Sequence, residues 1–162
     1  MTDRITGGCQ CGAIRYAISG PLGRPSICHC RMCQKAFGSF FAPLVGLKLA
    51  DFEVTRGEIA VFKSSDLVER GFCRDCGTPL TMFDLDGDKI DVSIGSLDEP
   101  AAVRPVIQYG VESRLPWFGE LADLPVRETM EDERTERLRL IARTNHQHPD
   151  HDTRIWPPGS RP

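Results

Sequence analysis

Seven cysteines in three short groups constrain this chain more than any other feature of its sequence. Cys9 and Cys11 form a C-x-C pair, residues 28–33 carry a C-x-C-x-x-C triple, and Cys73 and Cys76 form a C-x-x-C pair. An odd number of cysteines in such close groups does not suit a disulfide framework. Metal ligation explains the spacing, because a few residues must bring several sulfur atoms to about 2.3 Å from one ion.

The composition is that of one globular domain. Of the 162 residues, 40% are hydrophobic and 27% charged, which supports an ordinary buried core. The formal net charge of −3 argues against nucleic-acid or membrane binding through bulk positive charge. No apolar run approaches the roughly 20 residues of a membrane-spanning helix. Residues 1–9 lack the hydrophobic stretch of a signal peptide, so we expect a cytoplasmic protein.

Residues 1–127 predict a mainly β domain. Strand patterns cover residues 12–18, 52–56, 59–63, 67–72, 80–85, 89–94 and 106–111. Asp86-Gly87-Asp88 is a strong hairpin signal between two of them. The apolar stretch 40–49 contains Pro43 and Gly46, which predicts two short strands or one bulged edge strand. Short strands at this spacing favour small antiparallel sheets over a βαβ fold.

The C-terminal part differs in composition. Within residues 128–144, Thr129 is a candidate N-cap for a charged helix that runs from Met130 to about Arg143. Its apolar residues form only a thin stripe. Residues 145–162 contain three histidines, four prolines and few apolar side chains, so we predict a flexible tail.

The cysteines divide most simply into a set of four and a set of three. The set of four combines the two pairs, Cys9, Cys11, Cys73 and Cys76, and a closed structural zinc site needs four thiolates. The triple, Cys28, Cys30 and Cys33, leaves a fourth position for water or substrate. A glycine directly after each pair lets the chain turn back around an ion. A partition in which Cys28 or Cys30 completes a site with Cys9 also fits the spacing.

The charge of a three-thiolate site predicts its chemistry. The two positive charges of zinc against three thiolates leave −1, whereas three neutral histidines would leave +2. Such an ion is a weak electrophile toward water but suits a soft ligand, especially a substrate thiol held as thiolate. Arg31 and Lys35 lie nearby in the sequence and offer positive charge to the site or to a carboxylate.

Other residues near the cysteines have two interpretations each. His29 lies between two proposed ligands, and in an extended segment it faces away from the ion as a neighbouring or surface group, with an acid–base role open. Cys73 and Cys76 resemble a redox dithiol, but the βαβ pattern of such proteins is absent. A group of aromatic residues fits either the core or the wall of a substrate pocket: Phe37, Phe40, Phe41, Trp117 and Phe118.

The ordered motifs resemble one known family, the glutathione-dependent formaldehyde-activating family, which includes relatives of centromere protein V. The motifs are Gly8-Cys9-Gln10-Cys11-Gly12, Cys28-His29-Cys30-x-x-Cys33-Gln34-Lys35 and Gly71-Phe72-Cys73-x-x-Cys76-Gly77. All seven cysteines fall in the family's positions, and the resemblance covers roughly residues 5–127. It implies a β-tent fold of small antiparallel sheets.

The resemblance also implies the sites and the activity. It implies two zinc ions per chain: a structural zinc on Cys9, Cys11, Cys73 and Cys76, and a catalytic zinc on Cys28, Cys30 and Cys33. The implied reaction is that of a carbon–sulfur lyase, the reversible addition of a small-molecule thiol to an aldehyde. In the reaction that names the family, glutathione and formaldehyde give S-hydroxymethylglutathione. The alternative functions are a non-catalytic, zinc-stabilised binding module and a redox sensor that releases zinc.

Overall fold

The structure is a computed structural model that describes residues 4–128 and 135–156. Its strands are β1 (Ile5–Gly8), β2 (Arg15–Ile18), β3 (Ser26–Cys28), β4 (Ala42–Lys48), β5 (Phe52–Arg56), β6 (Ala60–Lys63), β7 (Val68–Phe72), β8 (Pro79–Asp84), β9 (Lys89–Ser93) and β10 (Ile107–Tyr109). Its α-helices are α1 (Arg31–Phe37) and α2 (Thr135–Arg143). Short 3₁₀ helices cover Leu49–Asp51, Ile94–Ser96, Pro100–Ala102, Val111–Ser113 and Pro116–Asp123.

The strands form two sheets, which confirms the predicted mainly β fold class. A three-stranded antiparallel sheet has the order β1-β2-β5, and a seven-stranded sheet has the order β10-β3-β4-β9-β8-β7-β6. β10 pairs with β3 in parallel, whereas the neighbouring pairs are antiparallel. Across the described ranges, no helix has both the length and the apolar character needed to cross a bilayer.

The apolar stretch around Pro43 is one central strand, so the predicted edge position is wrong. β4 pairs with β3 on one side and with β9 on the other. Pro43 is tolerated because it lies outside the ladder with β9, which begins at Leu44, and pairs with the three-residue strand β3.

The helix α1, which the sequence patterns did not predict, begins inside the cysteine triple. Cys30 is its N-cap residue, and the Cys30 Sγ accepts a hydrogen bond from the backbone N–H of Cys33 at 3.4 Å. The helix ends at Gly38, which has a left-handed φ of 58°. The first turn of α1 therefore holds Cys30 and Cys33 on one side of the chain.

Each cysteine group lies beside its own cluster of buried apolar side chains. The larger cluster contains Cys9 and Cys73 together with Tyr16, Ile18, Val45, Leu80 and Val92. The smaller contains Cys33, Ala42 and Leu44, with Cys28, Cys30, Phe37 and Met82 packed against it. Packing thus buries Cys9, Cys33 and Cys73, whereas the other four cysteines stay partly exposed.

Residues 145–156 contact the domain through a few side chains and one backbone hydrogen bond. His148 is only 3% exposed, and its backbone N–H donates to the carbonyl oxygen of Gln10 at 2.7 Å. Asp152 accepts a hydrogen bond from the buried Arg15 at 2.9 Å. The imidazole of His148 packs edge-on against the Trp156 ring. These few contacts attach residues 145–156 to the domain although the segment contains few apolar side chains. The expected N-cap Thr129 and residues 130–134 lie outside the described residues.

Candidate metal centres

Cys9, Cys11, Cys73 and Cys76 come together in one cluster. Their sulfur atoms all lie within 4.8 Å of one another. The Cys9 and Cys11 sulfurs are 3.6 Å apart, and the Cys11 and Cys73 sulfurs are 3.8 Å apart. A tetrahedron with metal–sulfur bonds of about 2.3 Å has edges of about 3.8 Å. The four thiols therefore fit a tetrahedral zinc ion.

Two similar turns place these four sulfurs. After β1, the N–H of Gly12 donates to the carbonyl oxygen of Cys9 at 3.0 Å, and after β7 the N–H of Gly77 donates to that of Cys73 at 2.9 Å. Gly12 and Gly77 have φ angles of 74° and 76°, which favour glycine. Each pair of cysteines is thus folded back by the glycine that follows it.

The surroundings of the four thiols differ. Burial raises the pKa of Cys9 to about 12. Burial also tends to raise the pKa of Cys76, but hydrogen bonds from the side chain and backbone of Thr78, together with those from Cys11 and Cys73, outweigh it and lower the pKa to about 6. The Thr78 hydroxyl lies 3.1 Å from the Cys76 sulfur, and the N–H of Ile14 donates to the Cys9 sulfur at 3.2 Å. Donors therefore already point at sulfurs that would carry negative charge in a metal complex.

Cys28, Cys30 and Cys33 form a second cluster. Their sulfur atoms lie within 4.8 Å of one another at the junction of β3 and α1. Burial raises the pKa of Cys28 to about 12. Burial tends to raise the pKa of Cys30 as well, but hydrogen bonds from the backbone N–H of Cys33 and from neighbouring donors bring this pKa below its usual value. In the portion of the chain that is described, no fourth cysteine, histidine or carboxylate shares this cluster, so its donors suit an ion with one open position.

Arg70 contacts this cluster from a distant strand. Arg70 is 7% exposed, and its Nη2 donates to the Cys33 sulfur at 3.4 Å. Burial raises the pKa of Cys33, while the guanidinium of Arg70 acts in the opposite direction. Arg70 is 37 positions away on β7, and no local pattern marks it.

His29 is buried and not at the surface. It is 0% exposed, and its Nε2 lies 2.9 Å from the side-chain oxygen of Gln108. Its ring meets the Phe118 ring edge-on at 4.6 Å between centroids. The cluster of sulfur atoms does not include the His29 ring nitrogens, and the imidazole contacts Gln108 and Phe118 instead.

A cavity of about 690 Å³ adjoins the three-cysteine cluster through Arg70, which lines it and contacts the Cys33 sulfur, although none of the three cysteines lines the cavity. Its wall includes the cationic residues Arg31, Lys35 and Arg70 and the apolar residues Met32, Phe37, Phe62, Phe72 and Pro79. No aspartate or glutamate of residues 4–128 or 135–156 lines it. Of the five aromatic candidates, Phe37 lies in this wall. Phe40 packs on Trp117 and Phe41 packs on Phe118 elsewhere.

These features define a small, mainly β protein with two cysteine clusters of metal-binding geometry. A family model described as "Glutathione-dependent formaldehyde-activating enzyme" matches residues 4–113, so the chain belongs to that family. This confirms the family resemblance drawn from the cysteine motifs.

Comparison with solved structures supports the fold. A crystal structure of a Rhodobacter sphaeroides protein is similar with a TM-score of 0.53 and 22% identity, over 64% of this chain and 98% of that chain. A search of curated proteins found no match. The helix α2 and residues 145–156 lie beyond the region that the family model matches.

Proposed function

We propose that this chain is a zinc-dependent carbon–sulfur lyase that makes and breaks the adduct of a small-molecule thiol with an aldehyde. The observation that carries the proposal is the cluster of three sulfurs near the 690 Å³ cavity. Three protein ligands leave the fourth position of a tetrahedral zinc ion open for a substrate. Family membership supports glutathione as the thiol and formaldehyde as the aldehyde.

The two clusters have different proposed roles. Four thiols at tetrahedral spacing suit a closed zinc site, which stabilises the fold and takes no part in the reaction. The set Cys28, Cys30 and Cys33 suits the catalytic zinc. Zinc bound there would supply a Lewis-acid position for a soft ligand such as a substrate thiolate.

The proposed reaction balances without an oxidant or a reductant. An electron pair of the thiol sulfur forms the new bond to the carbonyl carbon, and the π pair of the carbonyl moves to its oxygen. That oxygen takes up the proton that the thiol gave up. The reverse reaction breaks the carbon–sulfur bond and returns both molecules. The chain contributes by orienting the sulfur near a cavity with both apolar and cationic walls.

Exchange spectroscopy by NMR tests the activity. Protein loaded with two zinc ions per chain should speed the exchange between glutathione, formaldehyde and S-hydroxymethylglutathione above the uncatalysed rate. Other thiols and aldehydes in the same assay define the substrate range. Full metal content with no acceleration for any pair would overturn the lyase proposal.

The alternative, a binding module without turnover, is favoured by one observation. Cys33 is 3% exposed, so its sulfur is poorly accessible from solvent. A cobalt-substituted protein separates the two functions, because added glutathione should change the thiolate-to-cobalt absorption only when a thiol enters the coordination sphere.

A further inference from the structure

Arg70 is a buried cation, and neither of the two side chains that accept its hydrogen bonds is a carboxylate. Its Nε donates to the Ser64 hydroxyl at 3.1 Å and its Nη2 donates to the Cys33 sulfur at 3.4 Å. Its Nη1 is buried and has no hydrogen-bond partner within the described residues. A charge this deeply buried needs a nearby opposite charge. The Cys33 sulfur, as a metal-bound thiolate, is the group in position to supply it.

The charge of the three-cysteine centre changes when a substrate thiolate joins it. One divalent ion with three thiolates carries −1, and a fourth thiolate makes it −2. Adding negative charge to a buried, already negative group is costly unless a cation lies close by. Arg70 lies against the Cys33 sulfur and also lines the cavity.

We propose that Arg70 is a positioning residue that lets the three-cysteine centre accept a substrate thiolate, by offsetting the negative charge that the thiolate adds. The proposal rests on the proposed function. The hydrogen bond from Nε to the Ser64 hydroxyl holds the guanidinium in place while its Nη2 contacts the Cys33 sulfur. A neutral ligand adds no charge to the centre and does not need this offset.

Lys35 provides a matched control. It carries the same charge and lines the same cavity, but it is exposed on α1, and solvent and salt screen it. Arg70→Met and Lys35→Met therefore remove the same formal charge from one cavity. The contact with the Cys33 sulfur distinguishes them.

Glutathione titrations of the cobalt-loaded protein, followed by thiolate-to-cobalt absorption, test the proposal. Arg70→Met should raise the apparent Kd for glutathione about 10- to 100-fold, and Lys35→Met by about threefold or less. Arg70→Lys, which keeps the charge, should lie between wild type and Arg70→Met. Imidazole, a neutral ligand that also binds cobalt, should have nearly the same Kd in wild type and Arg70→Met.

The outcomes are separable. If wild type takes up glutathione and Arg70→Met does so equally well, the role of Arg70 is overturned while the proposed function stands. If Arg70→Met weakens glutathione and imidazole alike, Arg70 is only structural and the inference also fails. If no thiol enters the wild-type centre, the proposed function and the inference fall together. Arg70→Gln is a second neutral variant should Arg70→Met not fold with two cobalt ions.

Discussion

The indole N–H of Trp156 donates a hydrogen bond to the backbone carbonyl of Cys11. This contact joins the C-terminal segment to the loop that carries the first cysteine pair, about 145 positions earlier in the chain. His148 packs against Gly12 in the same loop. The segment 145–156 therefore packs against the loop that brings Cys9 and Cys11 to the four-cysteine cluster.

Removal of the Trp156 ring should weaken that cluster. We expect Trp156→Ala to destabilise the protein by about 1–3 kcal/mol and to speed the loss of one zinc to a chelator, because it removes a packed ring and a hydrogen bond. Chemical denaturation and chelator kinetics measure both effects. Trp156→Phe keeps most of the packing and should have the smaller effect. Unchanged chelator kinetics in Trp156→Ala would contradict this role.

The two clusters should respond differently to the loss of one sulfur. Cys33→Ser should lose about one zinc per chain and keep the fold, whereas Cys76→Ser should destabilise the whole domain, because a structural zinc contributes folding free energy directly. Metal analysis and circular dichroism distinguish these results. Equal destabilisation by both variants would mean that both clusters are structural.

Two glycines with left-handed backbone provide a matched pair near the three-cysteine cluster. Gly38 has open space where a Cβ would lie, so Gly38→Ala should cost only about 1 kcal/mol of backbone strain. At Gly110 the Cβ would lie 2.6 Å from the backbone nitrogen of Cys30. Gly110→Ala should cost more and also lower the metal affinity of the cluster. Denaturation and metal competition check this, and equal effects of the two substitutions would refute it.

The buried pair of Arg15 and Asp98 should make stability depend on pH. Burial acts upward on the pKa of Asp98, but hydrogen bonds from Arg15 and Thr6 outweigh it, so the folded-state pKa is depressed. The contribution of Asp98 is fully present above the unfolded-state pKa of about 3.9 and is lost as the pH falls through the lower folded-state value. Asp98→Asn should cost about 3 kcal/mol at pH 7.

Denaturation at several pH values checks this dependence. The difference in unfolding free energy between wild type and Asp98→Asn should shrink below about pH 4, because the carboxyl is then protonated in the unfolded state while it is still ionised in the folded state. Glu53→Gln is the control, because Glu53 pairs with Arg4 in an exposed ion pair of small expected effect. A difference between wild type and Asp98→Asn that stays constant down to pH 3 would contradict the argument.

Several strands and the gathering of the cysteines could be predicted because they depend on short stretches of chain. β5 matches its predicted range, and the hairpin around Gly87 joins β8 and β9 as expected. The helix α1 was missed because it is short and begins within the metal motif, where the cap is a cysteine sulfur. The central position of β4 was missed because pairing on both sides depends on distant strands.

The spacing of the cysteines and the glycines after each pair determined by themselves that thiols would meet in clusters, since a ligand turn closes within a few residues. Only the tertiary structure decided what surrounds those clusters. β7 lies between β6 and β8 in the large sheet, and this placement carries Arg70 to Cys33 across 37 positions. Such contacts depend on the packing of whole strands and on burial, and no local pattern of residue types encodes them.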